Sequence, residues 1–95
     1  MLGSACQSLK EFQRAIEYFN KCLIIAKEVS DRKGQSTAYE NLGLAYHELN
    51  EFQKAIECHN QRLIIAEEVG DRAGEGKAYA NLGNCLLYTS DAADE

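Results

Sequence analysis

Proline and tryptophan are both absent from this sequence of 95 residues, and it has no long apolar run. The lack of proline removes the commonest helix breaker, while the plentiful alanine, leucine, glutamate, lysine and glutamine favour helix. The longest apolar runs, such as "CLIIA", are far too short to span a membrane. The composition therefore predicts one small helical domain with no membrane partner.

Blocks of basic residues are missing as well, since 10 basic and 15 acidic residues are scattered to a net charge of −5. This pattern argues against a nucleic-acid partner. The first residues, "MLGSACQSLK", lack the charged start and apolar run of a secretory leader. The four cysteines, Cys6, Cys22, Cys58 and Cys85, are therefore interpreted as reduced packing residues, and we expect a cytoplasmic location.

The motifs that support catalysis or ligand chemistry are also missing. In "DRAGEGKA", Asp71 occupies the first glycine position of a phosphate loop and Ala78 occupies its hydroxyl position. Cys58 and His59 are adjacent on a predicted helix, where neighbours point in different directions, so they do not form a zinc pair. Cys58 also lacks the constellation of a facing histidine and an orienting acid that a nucleophile needs. We predict no catalytic residue, no cofactor and no metal.

An internal repeat dominates what the sequence does contain. When the chain is shifted by 40 residues, roughly 23 of 40 positions are identical between residues 3–42 and 43–82. The segment "LKEFQRAIEYFNKCLIIAKEVSDRKG" aligns with "LNEFQKAIECHNQRLIIAEEVGDRAG". Such a period is typical of stacked structural units that bury a continuous core between neighbours.

Each unit is predicted to contain two helices joined by a turn near residues 49–51. The apolar residues of the first helix recur at helical spacing, and so do those of the second helix, which begins at Phe52. Asp31 and Asp71 are predicted N-caps, because a carboxylate accepts hydrogen bonds from the open N–H groups of the first turn. Gly70 is suited to the left-handed residue that ends a helix.

Small residues are predicted to lie where the two helices cross, because close helix axes leave room only for small side chains. A larger residue at Gly43 should force the pair of helices open. The residues expected to pack the helices together are Leu42, Gly43, Tyr46, Ala55, Leu82 and Gly83.

The segment "AYENLGLAYHELNEFQKAIECHNQRLIIA" resembles a tetratricopeptide repeat. The family signature places an aromatic residue, Leu-Gly, Tyr, Ala and an aromatic in order, and this unit matches with Tyr39, Leu42-Gly43, Tyr46, Phe52, Ala55 and His59. Arg62 departs from the signature, since it stands at a late position that is usually small. The resemblance implies an all-α solenoid of antiparallel helix hairpins with a right-handed superhelical twist.

The terminal proline of the signature is missing, and the period of 40 is longer than the standard one. This longer variant is similar to the repeats of Pins-type G-protein-signalling modulators, which are cell-polarity adaptors, and equally to long animal repeat arrays. The short G-alpha-binding motifs of the Pins type are not visible in this sequence. The resemblance does not choose between the two groups.

The repeat divides the chain into a partial unit over residues 1–30, a full unit over 31–70 and a partial unit over 71–84. In terms of helices, we expect a remnant of a first helix, then three complete helices, then a first helix that is incomplete. Such a chain should be marginally stable, since about three units are needed. Residues 85–95, "CLLYTSDAADE", abandon the repeat. They back-translate to a transposase-library adapter, so we interpret them as a non-native tail. The alternative is a natural polar cap, which solenoids need at their ends.

A peptide-binding surface remains as the predicted functional feature. By resemblance, the first helices line a concave groove that binds a protein or peptide partner. The expected groove residues are Thr37, Glu40, Asn41, Leu44, His47, Glu48, Lys77, Asn81 and Asn84. A primary amide donates and accepts, so a row of asparagines could hold an extended backbone. The alternative is that Asn41 and Asn81 only bond neighbouring helices.

Three functions stay open at this point. The first is a scaffold that binds an extended peptide, and the second is a structural spacer in a long array. The third is a regulatory role, either as an adaptor with a G-protein-signalling component as its partner or as a sensor whose repeats bind an intramolecular tail and release it. A carboxylate clamp, which uses several basic residues to bind a terminal carboxylate, is disfavoured because only Lys77 fits it.

Overall fold

The computed structural model describes the backbone of residues 2–94 and the side chains of residues 9–88. It consists of four helices and, within the described residues, no strand. These are α1 (Leu2–Glu28), α2 (Arg32–Glu48), α3 (Phe52–Val69) and α4 (Arg72–Asp94). Each helix packs against its neighbours in sequence, which gives a body of 42 × 30 × 18 Å. The predicted all-α fold of helix hairpins is confirmed.

The starts of α2 and α4 are set by the two predicted N-caps. The Asp31 carboxylate accepts a hydrogen bond from the Gly34 N–H at 2.9 Å, and Asp71 accepts one from the Gly74 N–H at 2.9 Å. Each bond satisfies a backbone donor that has no partner inside the helix. The same side chain therefore starts a first helix in both units.

The three helix connections share one geometry. Ser30, Asn50 and Gly70 adopt left-handed conformations, with φ of 58°, 62° and 73°. In each case the following N–H bonds back into the helix that has just ended, as the Asp71 N–H does to the Ala66 carbonyl at 2.9 Å. This is the Schellman arrangement, which closes the last turn and lets the chain reverse.

The first connection expected from the repeat does not form, because α1 is one continuous helix. The predicted remnant and the helix after it are fused through Lys10, which is the counterpart of Asn50 one unit earlier. Asparagine tolerates the left-handed conformation because its short polar side chain can hydrogen-bond to the nearby backbone. Lysine has no such side chain, and it favours helix. The residues before Lys10 therefore extend α1 and do not fold back across it.

The core lies between α1 and α2. Leu23, Ala38 and Leu42 are buried together there, and half-buried apolar side chains surround them, namely those of Ile16, Phe19, Tyr39, Tyr46 and Cys58. Two of the cysteines differ in burial, since Cys58 is half-buried beside this core whereas Cys22 is exposed. The prediction of a packing role is therefore wrong for Cys22, because none of the described helices covers that side of α1. Cys6 lies outside the described side chains.

We expect Ser30→Gly to stabilise the chain by about 0.5–1 kcal/mol, because glycine adopts positive φ without the steric cost of a Cβ atom. The reverse change at the equivalent turn, Gly70→Ser, should destabilise it by a similar amount. Urea unfolding followed by circular dichroism measures both. An unchanged or lower midpoint for Ser30→Gly would show that this turn is not strained.

Candidate functional site

One face of α2 carries most of the predicted groove residues. Thr37, Glu40, Leu44 and His47 follow one another at spacings of three and four, so they form a single stripe along the helix. Within the described residues, three cavities meet this stripe in different places. They are named the Arg62, Asn81 and Asn41 cavities below.

The Arg62 cavity is about 370 Å³ and lies between α2 and α3. Thr37 and Glu40 line it from α2, and Arg62 and Ile65 line it from α3. The Asn81 cavity, of about 210 Å³, lies where α2, α3 and α4 meet. Its lining consists of Leu44, His47, Glu48, His59, Asn81 and Asn84.

The Asn41 cavity, of about 250 Å³, lies between α1 and α2. Asn41 lines it together with Phe12 and Phe19 of α1. Asn41 and Asn81 thus occupy equivalent places one unit apart, each beside the second helix of the preceding unit. Lys77 is exposed and lines none of the three cavities, so the structure does not bring it together with the other predicted residues.

The side-chain amides of Asn41 and Asn81 are both half-buried. Neither has a hydrogen-bond partner among the described residues. An amide in this state keeps two donors and an acceptor for another molecule. The geometry therefore offers no support for a role limited to bonding neighbouring helices.

Arg62 is a buried cation that the sequence-based groove did not include. Its guanidinium bonds the Glu40 carboxylate at 3.3 Å, and its side chain is only 8% exposed. Its Nε and Nη1 atoms have no partner within the described part of the chain. Buried donors without partners are costly, and both atoms are shielded from solvent, so an oxygen atom in the cavity would reach them only if the surrounding side chains moved. The available signal was the departure of Arg62 from a position that is usually small.

His59 forms the floor where α2 and α3 cross, and it is almost fully buried. A Cβ atom placed on Gly43 would lie 2.5 Å from the His59 ring, so only glycine fits at this contact. Burial lowers the pKa of His59, and the charges of Arg62 and His47 lower it further, while Glu40 acts in the opposite direction. His59 is therefore a neutral ring at pH 7, which agrees with the predicted aromatic place that it occupies.

The other small and apolar residues expected at helix contacts divide into two groups. Leu42 and Ala55 are buried and Tyr46 is half-buried. Leu82 is only half-buried, and a Cβ atom on Gly83 would meet nothing within 4 Å. Gly83 therefore does not lie at a helix crossing in this structure, because no described helix covers that side of α4.

An aromatic cluster joins the end of α2 to α4. His47 contacts the rings of Phe52 and Tyr88 edge-on at 5.1 and 5.3 Å, and Phe52 stacks on Tyr88 at 5.3 Å. The Cys85 Sγ atom lies 3.6 Å from the His47 Nδ1 atom. The first residues after Asn84 thus continue α4 and pack, as their helix-tolerant side chains allow. The non-native origin of residues 85–95 stays a prediction.

The Cys58 thiol and the grouping of metal-ligating side chains bear on reactivity at these sites. Burial raises the pKa of the Cys58 thiol to about 11, with a smaller contribution from Glu57, so this thiol is protonated and weakly nucleophilic at pH 7. Across the described side chains, no three His, Cys, Asp or Glu residues come together as a metal site would require. None of the helices in this part of the chain is both long and apolar enough to cross a bilayer.

The repeat signature, the helix hairpins and the Gly43 crossing together point to one family. A family model described as the tetratricopeptide repeat matches residues 1–68. The chain belongs to the tetratricopeptide repeat family. Such repeats are generally protein-interaction modules. Among curated proteins, no sequence matches this chain.

Within this tetratricopeptide repeat protein, Gly43 and Gly83 form a matched pair for testing the crossing. We expect Gly43→Ala to destabilise the chain by roughly 1–3 kcal/mol, because the added methyl group overlaps the buried His59 ring. Gly83→Ala should instead stabilise it by up to about 1 kcal/mol, since alanine favours helix and the site is open. Urea unfolding in dilute solution measures both changes. Equal effects of the two substitutions would contradict the close contact.

Stability should fall as the pH falls below 6.5, the ordinary pKa of histidine, because the unfolded chain then binds a proton that folded His59 resists. The stabilisation is fully present above pH 6.5 and is lost progressively toward acid pH. His59→Phe, which copies Phe19 of the preceding unit, should flatten this dependence between pH 5 and 7. The free energy of unfolding is measured by urea titration across that range. A slope that is identical in both proteins would rule out His59 as its source.

Proposed function

We propose that this tetratricopeptide repeat protein binds an extended peptide segment along the stripe formed by α2 and the facing residues of α4. The observation that supports this most directly is the pair of half-buried Asn41 and Asn81 amides, which have no partner within the described residues. A peptide backbone presents alternating donors and acceptors at a short repeat. Two amides in equivalent places of successive units can hold it with little dependence on its side chains.

The cavities beside these amides supply the selectivity. The Arg62 cavity is lined by Lys33 and Arg62 together with Glu40 and Asp71, so a polar side chain or a carbonyl of the bound segment fits there. Glu40 and Glu48 leave the surface mixed in sign, with Arg62 and Lys33 as the cations that line it. A cytoplasmic location is part of this proposal.

The resemblance to Pins-type modulators adds a finer alternative, in which the chain is part of an adaptor and its partner belongs to G-protein or cell-polarity signalling. Only the repeat length and the sequence of the unit support it. The second alternative is a structural spacer without a ligand. A surface that tolerates charge swaps at Glu40, His47 and Lys77 would favour the spacer.

The test begins with a random-peptide phage library selected against the immobilised chain. For a selected peptide, we expect the double variant Asn41→Ala, Asn81→Ala to bind at least about tenfold more weakly. Each amide is expected to form at least one hydrogen bond to the peptide, and the net free energies of two such bonds together correspond to about this loss of affinity. Fluorescence anisotropy gives the dissociation constants. Gln53→Ala, an exposed amide at the start of α3, is the matched control and should bind normally.

Circular dichroism establishes that both variants keep their helix content. Equal affinity of the folded double variant and the unchanged chain would contradict the role of the two amides. Failure to select any peptide above background would favour the spacer.

A further inference from the structure

The Asn81 cavity brings polar side chains of neighbouring helices together. Leu44 and Glu48 line it one helical turn apart on α2, and Asn81 and Asn84 line it about one turn apart on α4. The ring of His59 lines it from α3 and is 1% exposed. Each of these residues precedes position 85, where the chain abandons the repeat. The cavity is therefore built from repeat residues.

Glu48 gives this cavity a negative charge that no cation in its lining balances. Neither lysine nor arginine lines the cavity. Within the described residues, the Glu48 carboxylate forms no hydrogen bond and no ion pair. The Arg62 cavity differs, because two cations and two carboxylates line it, namely those of Lys33, Arg62, Glu40 and Asp71. Electrostatic complementarity therefore favours a cationic group in the Asn81 cavity.

His59 and the two asparagines add polar groups to the cavity without adding charge at pH 7. Burial lowers the pKa of His59, so its ring is neutral at pH 7 and does not repel a cation. The side-chain amides of Asn81 and Asn84 have no hydrogen-bond partner among the described residues. An amide oxygen accepts hydrogen bonds, as a carboxylate does. The cavity therefore offers one carboxylate and two amide oxygens to a bound group.

On the basis of the proposed function, we propose that the Asn81 cavity binds an arginine side chain of the peptide that lies along the α2 stripe. A guanidinium is always charged and carries five N–H donors in a planar fork, so it can bond the Glu48 carboxylate and the amide oxygens together. Its apolar stem packs on Leu44, which is 46% exposed. A lysine ammonium is a compact point charge and matches this set of acceptors less well.

The side-chain site is tested by NMR titration of the 95-residue chain with N-acetylarginine methylamide. We expect the side-chain amide signals of Asn81 and Asn84 to shift and to saturate with a roughly millimolar dissociation constant. N-acetylcitrulline methylamide has nearly the same shape without the charge and should bind at least about tenfold more weakly. N-acetyllysine methylamide should also bind more weakly. Equal binding of the arginine probe and either other probe, or shifts that avoid both asparagines, would overturn the site.

Glu48→Gln removes the charge from the cavity and keeps the size of the side chain. It should weaken binding of the arginine probe at least about tenfold, because a charge-assisted hydrogen bond is replaced by a neutral one. Glu67→Gln is the matched control, since Glu67 is an exposed carboxylate on α3 outside the lining and its loss changes the net charge equally. It should bind the probe like the unchanged chain. Equal losses in both variants would show general attraction to an acidic chain and overturn the site.

Peptides selected from the phage library test the same site in the bound segment. We expect them to share an arginine, and its replacement by citrulline should weaken binding about tenfold in the unchanged chain but much less in Glu48→Gln. Peptides that depend on Asn41 and Asn81 but contain no arginine would contradict the arginine site and leave the proposed function in place. Binding of the arginine probe without any selectable peptide would support the site and contradict the proposed function.

Discussion

The close contact between Gly43 on α2 and the His59 ring on α3 is the constraint on which the rest of the structure depends. Without a Cβ atom at Gly43, the two helices approach until the ring is almost fully buried. That approach brings Arg62, one helical turn beyond His59, next to Glu40 on the facing helix. The packing contact and the candidate binding surface are therefore produced by the same crossing.

The side chains buried beneath the candidate surface, His59 and Arg62, are polar, and their burial has an energetic cost. His59 and Arg62 both bury nitrogen atoms that have no partner within the described residues. Such groups weaken a small domain, in which net stability is only a few kcal/mol. The equivalent residues of the preceding unit, Phe19 and Cys22, avoid this cost. The polar pair therefore distinguishes the full unit from its neighbour.

Residues at equivalent positions of the repeat differ in burial along this chain. Ile25 and Ile65 are the same residue in the same repeat position, yet one is exposed and the other buried. Ile65 lies beside Ser36 and Thr37 at the start of α2, and these two residues have no counterpart forty positions earlier in this sequence. In a solenoid each unit packs against its neighbours. The neighbouring helices, and not the residue type, therefore decide which side chains are buried.

The sequence by itself determined the helices, their N-caps at Asp31 and Asp71, the left-handed Gly70 and the family, because these depend on local spacing and on short-range hydrogen bonds. Only the tertiary structure decided that α1 is continuous, that Gly83 is open and that Arg62 is buried beside Glu40. Those facts depend on which helix covers which, and a repeated sequence carries the same pattern whether or not a neighbour is present to cover it. Burial of a polar side chain is likewise a property of the packed neighbours, so a periodic pattern could locate Arg62 on a helix but could not reveal its unpaired donors.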